Sequence, residues 1–195
     1  MAIYRYIITA DTGMAPAVAD GLISLATCKP VVRRSTRVGD WVVACRASPA
    51  PPGLVAWAGR VRQKLEIADY EREFRGRPDA VYRLGADGDY VRLRPDYHNT
   101  PEQVATDLSG PALVFDPEAS WYFGSSPKLL PDDLLHLAPR GQGHRVNGAG
   151  PDDEQALLVW LRNISPPGVQ GSPPDAPDGE CGGCIATKPR APPGC

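Results

Sequence analysis

Short runs of β-forming residues recur along the first two-thirds of the chain, and turn residues separate most of them. Residues 3–9 alternate in polarity, residues 41–45 and 54–62 are mainly apolar, and shorter runs follow at 112–115 and 120–123. Such runs predict strands. Strands that follow one another this directly leave too little chain for the crossover helices of a doubly wound parallel sheet. The pattern therefore predicts an α+β fold built as a small mixed β-barrel.

Three or four short helices are expected at the periphery of this barrel. The clearest begins at Thr100 and Pro101, because threonine is a favoured N-cap and proline is favoured at the first helical position. Residues 15–26 fit either a short helix or a strand. The expected helices are residues 66–74, residues 100–110, residues 131–137 and the segment that begins at 151.

Proline and glycine concentrate at the end of the chain, where residues 166–195 hold eight Pro and six Gly. A segment this poor in apolar side chains buries too little surface to offset its ordering entropy. We therefore expect a single domain over residues 1–165 and a disordered tail over 166–195. The tail cysteines, Cys181, Cys184 and Cys195, are expected to be reduced thiols, and Cys28 and Cys45 are expected to be small buried core residues.

The overall composition excludes several classes of protein. Apolar residues make up 42% of the chain and the net charge is −2, which is typical of neither a disordered chain nor a generally basic nucleic-acid coat. The longest apolar runs are too short to span a bilayer, and no signal peptide is evident. We expect a cytoplasmic protein with no membrane partner and no cofactor, and the oligomeric state stays open.

Positive charge is concentrated in one segment. Residues 29–64 carry eight Lys and Arg against Asp40 alone. Arginine is suited to phosphate because its guanidinium donates bidentate hydrogen bonds, and nearby aromatic rings offer stacking faces for a base. The alternative is a solvated face that pairs with the acidic segment after it. The candidate phosphate ligands are Lys29, Arg33, Arg34 and Arg60, and the candidate stacking residues include Tyr6, Trp41 and Trp121.

Other constellations of reactive residues carry weaker signals. Asp11-Thr12-Gly13 matches half of an aspartic-protease site, but the chain has no second such motif. The spacing of His98, His136 and His144 matches no compact metal motif, so no metal site is expected. A Cys28–His144 thiol–imidazole pair is a further alternative. His144 stands out because Gly143 and Arg145 flank it, which suits an anion or a base edge.

Seven motifs stand in sequence order at residues 4–16, 25–30, 33–35, 38–42, 107–110, 121–124 and 141–145. Together they resemble the second type of nucleotide modification associated domain. The resemblance implies a bacterial or phage protein that makes, handles or recognises modified bases. The order of an aromatic first strand, a basic segment and a Gly-Asp turn before an apolar strand is also similar to EVE and other PUA-like barrels. That second likeness implies a PUA-like barrel with a pocket for a modified base.

The resemblance leads us to expect one pocket at the end of the first strand, next to the strand that begins at Trp41 and the loop around His144. Its expected ligand is a modified nucleic acid or nucleotide. The favoured function is a binding module for a modified base; the alternatives are an enzyme acting on a base or nucleotide, and an adaptor of a phage or defence system. The expected base-binding residues are Tyr6, Thr9, Asp11, Thr12, Trp41, Trp121, His144 and Arg145.

Overall fold

The structure, a computed structural model, describes residues 1–139, 141 and 143–176. Its strands are β1 (Ile3–Ile8), β2 (Ala17–Ala19), β3 (Leu22–Leu25), β4 (Trp41–Arg46), β5 (Leu54–Leu65), β6 (Tyr82–Leu84), β7 (Tyr90–Arg92), β8 (Ala112–Tyr122), β9 (Lys128–Leu129), β10 (His144–Arg145) and β11 (Gly168–Val169). Its helices are α1 (Pro30–Ser35), α2 (Ile67–Glu73), α3 (Pro101–Leu108) and α4 (Pro151–Ile164), with a 3₁₀ helix at Asp132–Leu137. Within these residues, no helix has the length and apolar character needed to cross a membrane.

One large mixed sheet organises the molecule. Its strands lie in the order β10-β1-β4-β5-β8-β3-β2, β9 and β11 add to β5 and β8, and β6 and β7 form a separate pair. The fold is thus a mixed α/β one with several short helices. The first strand and the strand after the Gly-Asp turn were expected to be neighbours, and β1 does pair with β4, in parallel. No pairing among the described strands joins β10 to β2, so the sheet is not closed into the predicted barrel.

Both faces of the sheet are buried, which explains why its central strands are apolar along their whole length. In β4, Trp41, Val43 and Cys45 face one core cluster, and Val42 and Ala44 face another. This alternation is the period-two pattern of a strand. Leucines of α4 and the 3₁₀ helix cover the first face, and Val32 of α1 packs in the second cluster. A third cluster lies between α2 and the end of the sheet formed by β3 and β8.

Several elements differ from the sequence-based expectations. The two short strands predicted at 112–115 and 120–123 are the ends of one strand, β8. Pro117 suggests a break there, but the pairing with β5 steps from Ser120 opposite Gly59 to Phe115 opposite Val61. The residues between bulge out of the ladder, where a proline removes no hydrogen bond. The ambiguous residues 15–26 contain two strands, and helix α1 was not predicted.

The chain continues along the sheet beyond residue 165, where the domain was expected to end. Strand β11 pairs in parallel with β8 at Trp121 and Tyr122. Farther on, the Asp175 carboxylate accepts a hydrogen bond of 2.8 Å from the backbone N–H of Asp11. These contacts connect residues up to Asp175 to the sheet and to the segment after β1. Residues 177–195 lie outside the described residues, and for them the expected disordered tail stays a prediction.

Candidate functional site

A cavity of about 390 Å³ opens where the end of β1, the start of α1 and strand β10 meet. This volume lies in the lower part of the range of small-molecule sites, about 300–1,000 Å³. Two of the three segments expected to form the site contribute to it, the end of the first strand and the loop around His144. The start of the basic segment takes the place of the third, the strand that begins at Trp41. We call this cavity the slot; its lining residues are Tyr6, Ile7, Thr9, Lys29, Pro30, Val31, Val32, Thr106, Gly143 and His144.

The slot combines aromatic, apolar and cationic groups. The Tyr6 hydroxyl accepts a hydrogen bond of 3.1 Å from Trp57 Nε1, which fixes the ring in place. The Lys29 ammonium lies 5.3 Å from the centroid of that ring, within cation–π range. The His144 ring stacks on Tyr4 with centroids 6.1 Å apart. These groups offer an aromatic surface, a hydrogen-bonding imidazole and a positive charge to one ligand.

Lys29 is a partly buried cation without a compensating acid in the described part of the chain. Burial lowers the pKa of its ammonium group, and no carboxylate among the described residues lies within ion-pair distance of it. A desolvated cation is stabilised when an anion binds beside it. The position of Lys29 therefore suits the phosphate role predicted for it.

The backbone at the edge of the slot adopts an unusual conformation. Cys28 and Lys29 are consecutive non-glycine residues with φ of 52° and 40°, in the left-handed region. Such residues persist only when their surroundings hold them, and they cluster at functional sites. Here the Cys28 N–H donates to Asp107 Oδ1 at 2.7 Å, and the Cys28 carbonyl accepts from Arg33 Nε at 2.7 Å. Asp107 and Arg33 thus clamp the turn that presents Lys29.

Arg33 is a buried structural residue and does not lie on the surface. Its side chain is fully buried, and burial lowers its pKa to about 10. The guanidinium donates its hydrogen bonds to backbone carbonyl oxygens, so the phosphate-binding role predicted for Arg33 does not fit its position. Its acceptors are the carbonyls of Ala26, Cys28, Thr106, Asp107, Gly110 and Pro111.

The other two candidate phosphate ligands lie away from the slot lining. Arg34 is exposed and donates to the carbonyl and the hydroxyl of Ser109. Arg60 forms an ion pair of 2.8 Å with Asp116. The basic segment therefore pairs partly within the domain, but these two arginines contact Ser109 and Asp116 and not the acidic segment that follows.

Asp11 is buried beside the slot but does not line it. Its Oδ1 accepts a hydrogen bond of 2.9 Å from the Tyr122 hydroxyl, and Arg46 lies 3.8 Å from its Oδ2. Burial raises the pKa of this carboxyl group. Thr12 also lies outside the lining, so the slot contains Thr9 and His144 without the Asp11 and Thr12 side chains expected with them.

The two tryptophans proposed as stacking residues belong to the core. Trp41 and Trp121 are fully buried and stack on each other, with ring centroids 6.4 Å apart. Their indole N–H groups donate to Glu154 and to the Ser165 carbonyl. Since no face of either ring reaches solvent, base stacking does not fit their positions. Arg145, expected in the slot, lines a different cavity.

A cluster that the sequence analysis missed lies behind the turn at Cys28. His98 Nδ1 lies 2.6 Å from Asp107 Oδ2, and His98 Nε2 lies 3.6 Å from the Cys28 sulfur. The Tyr82 hydroxyl also donates to Asp107, at 2.9 Å. We call Cys28, His98 and Asp107 the thiol cluster. The proposed pairing of Cys28 with His144 is not seen; His98 stands at that position instead.

Two kinds of chemistry fit the thiol cluster. Its three ligand-type atoms lie within 4.8 Å of one another, close enough for a metal ion. However, Asp107 binds the ring nitrogen of His98 opposite to the one that faces sulfur, and this is the arrangement of a thiol–imidazole–carboxylate triad. The Cys28 sulfur is disulfide-bonded, so thiol chemistry here requires reduction first. The sequence signals for this cluster were Asp107 in the motif at 107–110 and Cys28 in the motif at 25–30.

Comparison with known proteins places the chain in a family. No curated protein and no solved structure matches it. The model of nucleotide modification associated domain 2 matches residues 1–178. The match includes the slot, the thiol cluster and strand β11, which lies beyond the expected domain end. The chain therefore belongs to the nucleotide modification associated domain 2 family, as its motifs indicated.

Proposed function

We propose that this protein binds a nucleotide or nucleic acid through a modified base, which it holds in the slot. Membership of the family links the chain to nucleotide modification systems. The observation that carries the proposal is the convergence of Tyr6, Thr9, Lys29 and His144 on one cavity of suitable size.

Each group has a distinct part in the proposed binding. The Tyr6 ring and the apolar residues of α1 contact the faces and edges of the base, where burial of apolar area favours binding. Thr9 and His144 exchange hydrogen bonds with polar groups on the base, including an added substituent. Lys29 attracts the phosphate, because its charge is partly desolvated and no described carboxylate pairs with it.

The predicted PUA-like relationship remains part of this proposal. In such a barrel the first strand and the strand after the Gly-Asp turn are neighbours, and the base pocket lies beside them. The direct pairing of β1 with β4, and the slot at the end of β1, support that placement.

A calorimetric binding screen tests the slot. Nucleosides and nucleoside monophosphates with modified and unmodified bases are titrated into the full chain. We expect Lys29→Met to weaken monophosphate binding by about ten-fold, or ~1.4 kcal/mol, with a smaller effect on nucleosides. We expect His144→Ala to weaken both. The matched control is Lys128→Met on β9, which lies outside the slot lining.

Two outcomes contradict the proposal. One is that no base in the panel binds at millimolar concentration. The other is that Lys128→Met weakens binding as much as Lys29→Met, since that pattern indicates non-specific attraction between a cation and phosphate.

The geometry of the thiol cluster favours a second candidate function, an enzyme that uses a cysteine nucleophile. After reduction of the Cys28 disulfide, the thiol proton passes to His98 Nε2 and the sulfur attacks an electrophilic carbon of the substrate. Asp107 holds the imidazole in the required orientation. The leaving group departs with the proton from His98, which leaves a covalent thioether or thioester on Cys28.

Alkylation of the reduced protein tests this candidate. With iodoacetamide, a sulfur–carbon bond forms, iodide leaves and the thiol proton transfers to His98. Peptide mass spectrometry resolves each cysteine. Cys45 is the internal reference, because burial raises its pKa to about 12. We expect Cys28 to react at least ten-fold faster than Cys45 at neutral pH, and His98→Gln to remove most of that difference. Equal rates at the two cysteines would exclude an activated thiol.

A further inference from the structure

A second, smaller cavity lies on the opposite side of β1 from the slot. Tyr6 lines the slot and Arg5 lines this cavity, as expected for successive residues of a strand, which face opposite ways. Its volume is about 160 Å³. That is several times the ~30 Å³ of one water molecule, but below the size of typical drug-sized ligand sites. Its lining residues are Arg5, His136, Ala138, Arg145 and Asn147.

Two arginines face each other across this cavity. Arg5 on β1 is the direct cross-strand partner of Arg145 on β10. Side chains in such pairs have Cβ atoms about 4.5–5.5 Å apart, and like charges placed directly opposite destabilise a sheet. An anion between two guanidinium groups reverses that penalty. The pairing therefore brings two guanidinium groups to the lining of one cavity.

The hydrogen bonds of Arg5 point to the same conclusion. Arg5 is only 3% exposed, and its two terminal nitrogens donate to the carbonyls of His136 and Asn147. Its Nε is buried and has no hydrogen-bond partner among the described residues. A buried donor without an acceptor costs about 1–3 kcal/mol. The two carbonyl contacts orient the guanidinium but leave this donor for another group.

The acidic group that acts on Arg5 is Asp153. Asp153 raises the pKa of Arg5, but burial has the larger, opposite effect and lowers it. Asp153 also contacts His136 Nε2 at 2.9 Å. One carboxylate therefore serves several cationic or donor groups. None of the described ion pairs joins a carboxylate to Arg5.

We propose that Arg5 and Arg145 form an oxyanion-binding site that accepts a phosphate-type group. Arg5 Nε supplies a preoriented donor, and the Arg145 guanidinium supplies the second arm from the edge strand. Arginine suits this task because its planar fork of donors matches the oxygens of phosphate. The ligand is either a free oxyanion or the backbone phosphate of a nucleic acid that passes over the β10 edge. This site does not depend on base binding in the slot.

Titration of the full chain with inorganic phosphate, followed by calorimetry, tests the site. We expect saturable binding at one site. Arg145→Gln should weaken it by about ten-fold, because a charge-assisted hydrogen bond is lost. The matched control is Arg62→Gln, which removes the same charge from another exposed strand position, on β5. Arg5→Gln should abolish binding, and circular dichroism checks that this variant folds.

The site is refuted if millimolar phosphate does not bind saturably, or if Arg62→Gln weakens binding as much as Arg145→Gln. A single-stranded oligonucleotide distinguishes the two sources of the oxyanion. If phosphate competes with it and Arg145→Gln weakens it, the site holds backbone phosphate. If only free phosphate responds to Arg145→Gln, the site holds a free oxyanion. Both results support the site. A nucleoside without phosphate should bind wild type and Arg145→Gln equally, so failure of the slot is seen separately.

Discussion

Replacement of Asp107 by alanine tests how the left-handed turn at Cys28 and Lys29 is held. The Asp107 carboxylate receives hydrogen bonds from the Cys28 N–H at 2.7 Å, the Tyr82 hydroxyl at 2.9 Å and His98 Nδ1 at 2.6 Å. Asp107 is fully buried. Truncation therefore leaves three buried donors without an acceptor, and each costs about 1–3 kcal/mol. Since the surroundings relax in part, we expect the free energy of unfolding to fall by about 3–5 kcal/mol.

Urea unfolding under reducing conditions measures this loss without a contribution from the Cys28 disulfide. Two milder variants calibrate it. Tyr82→Phe removes one donor and should cost about 1–2 kcal/mol. Asp107→Asn keeps the size of the side chain, so it should cost less than Asp107→Ala while it disturbs the tautomer of His98. The reasoning is refuted if Asp107→Ala costs no more than Tyr82→Phe, because the carboxylate would then not organise the turn.

Three further perturbations separate structural from binding roles. Arg33→Met should lower the free energy of unfolding in urea by about 3–5 kcal/mol, because it leaves buried carbonyls without donors. Arg34→Met, at an exposed position, should change it by no more than about 0.5 kcal/mol. Equal effects of the two substitutions would contradict the structural role of Arg33. The hydrogen bond from Arg60 lowers the pKa of Asp116 in the folded protein. This ion pair should stabilise the fold by about 0.2–1 kcal/mol at pH values above the unfolded pKa of about 3.9. The stabilisation is lost as the pH falls through the pKa of Asp116 in the folded protein. Arg60→Ala should therefore destabilise the protein more at pH 7 than at a pH below the unfolded pKa, and equal costs at both would refute the pairing. Under reducing conditions, truncation after Ser165 should lower the melting temperature by several degrees and truncation after Ala176 should not; the reverse would show that β11 contributes nothing.

The central strands β4 and β5 were predictable because burial on both faces of the sheet produces continuous apolar runs. Helix α3 was predictable because Thr100 and Gln103 form a capping box that proline reinforces. Strand β11 was not, because Gly168 and Val169 carry no strand signal of their own. They pair because β8 presents an unpaired edge beside Trp121. Whether a sheet closes into a barrel depends on contacts between strands that are distant in sequence, and local sequence patterns do not encode these contacts.

Some residues of the candidate site were likewise predictable from the sequence, and others were not. Lys29 and His144 were identified from charge and from flanking glycines, and they do line one cavity; their role in binding stays a prediction. Composition does not reveal burial, so Arg33 in the core resembles exposed Arg34 in the sequence. The approach of His98 to Cys28 depends on the position of α3 against the turn. The opposition of Arg5 and Arg145 depends on the register of two strands.

The imidazole signals of the three histidines offer the most direct test of the slot as the base-binding site. His144 lines the slot, His98 lies in the thiol cluster and His136 contacts Asp153. A nucleoside without phosphate, with the modified base that binds most tightly in the screen, is added to saturation and followed by NMR. Our account predicts that the His144 signals shift while those of His98 and His136 stay in place. Saturable binding with an unchanged His144 signal would contradict it.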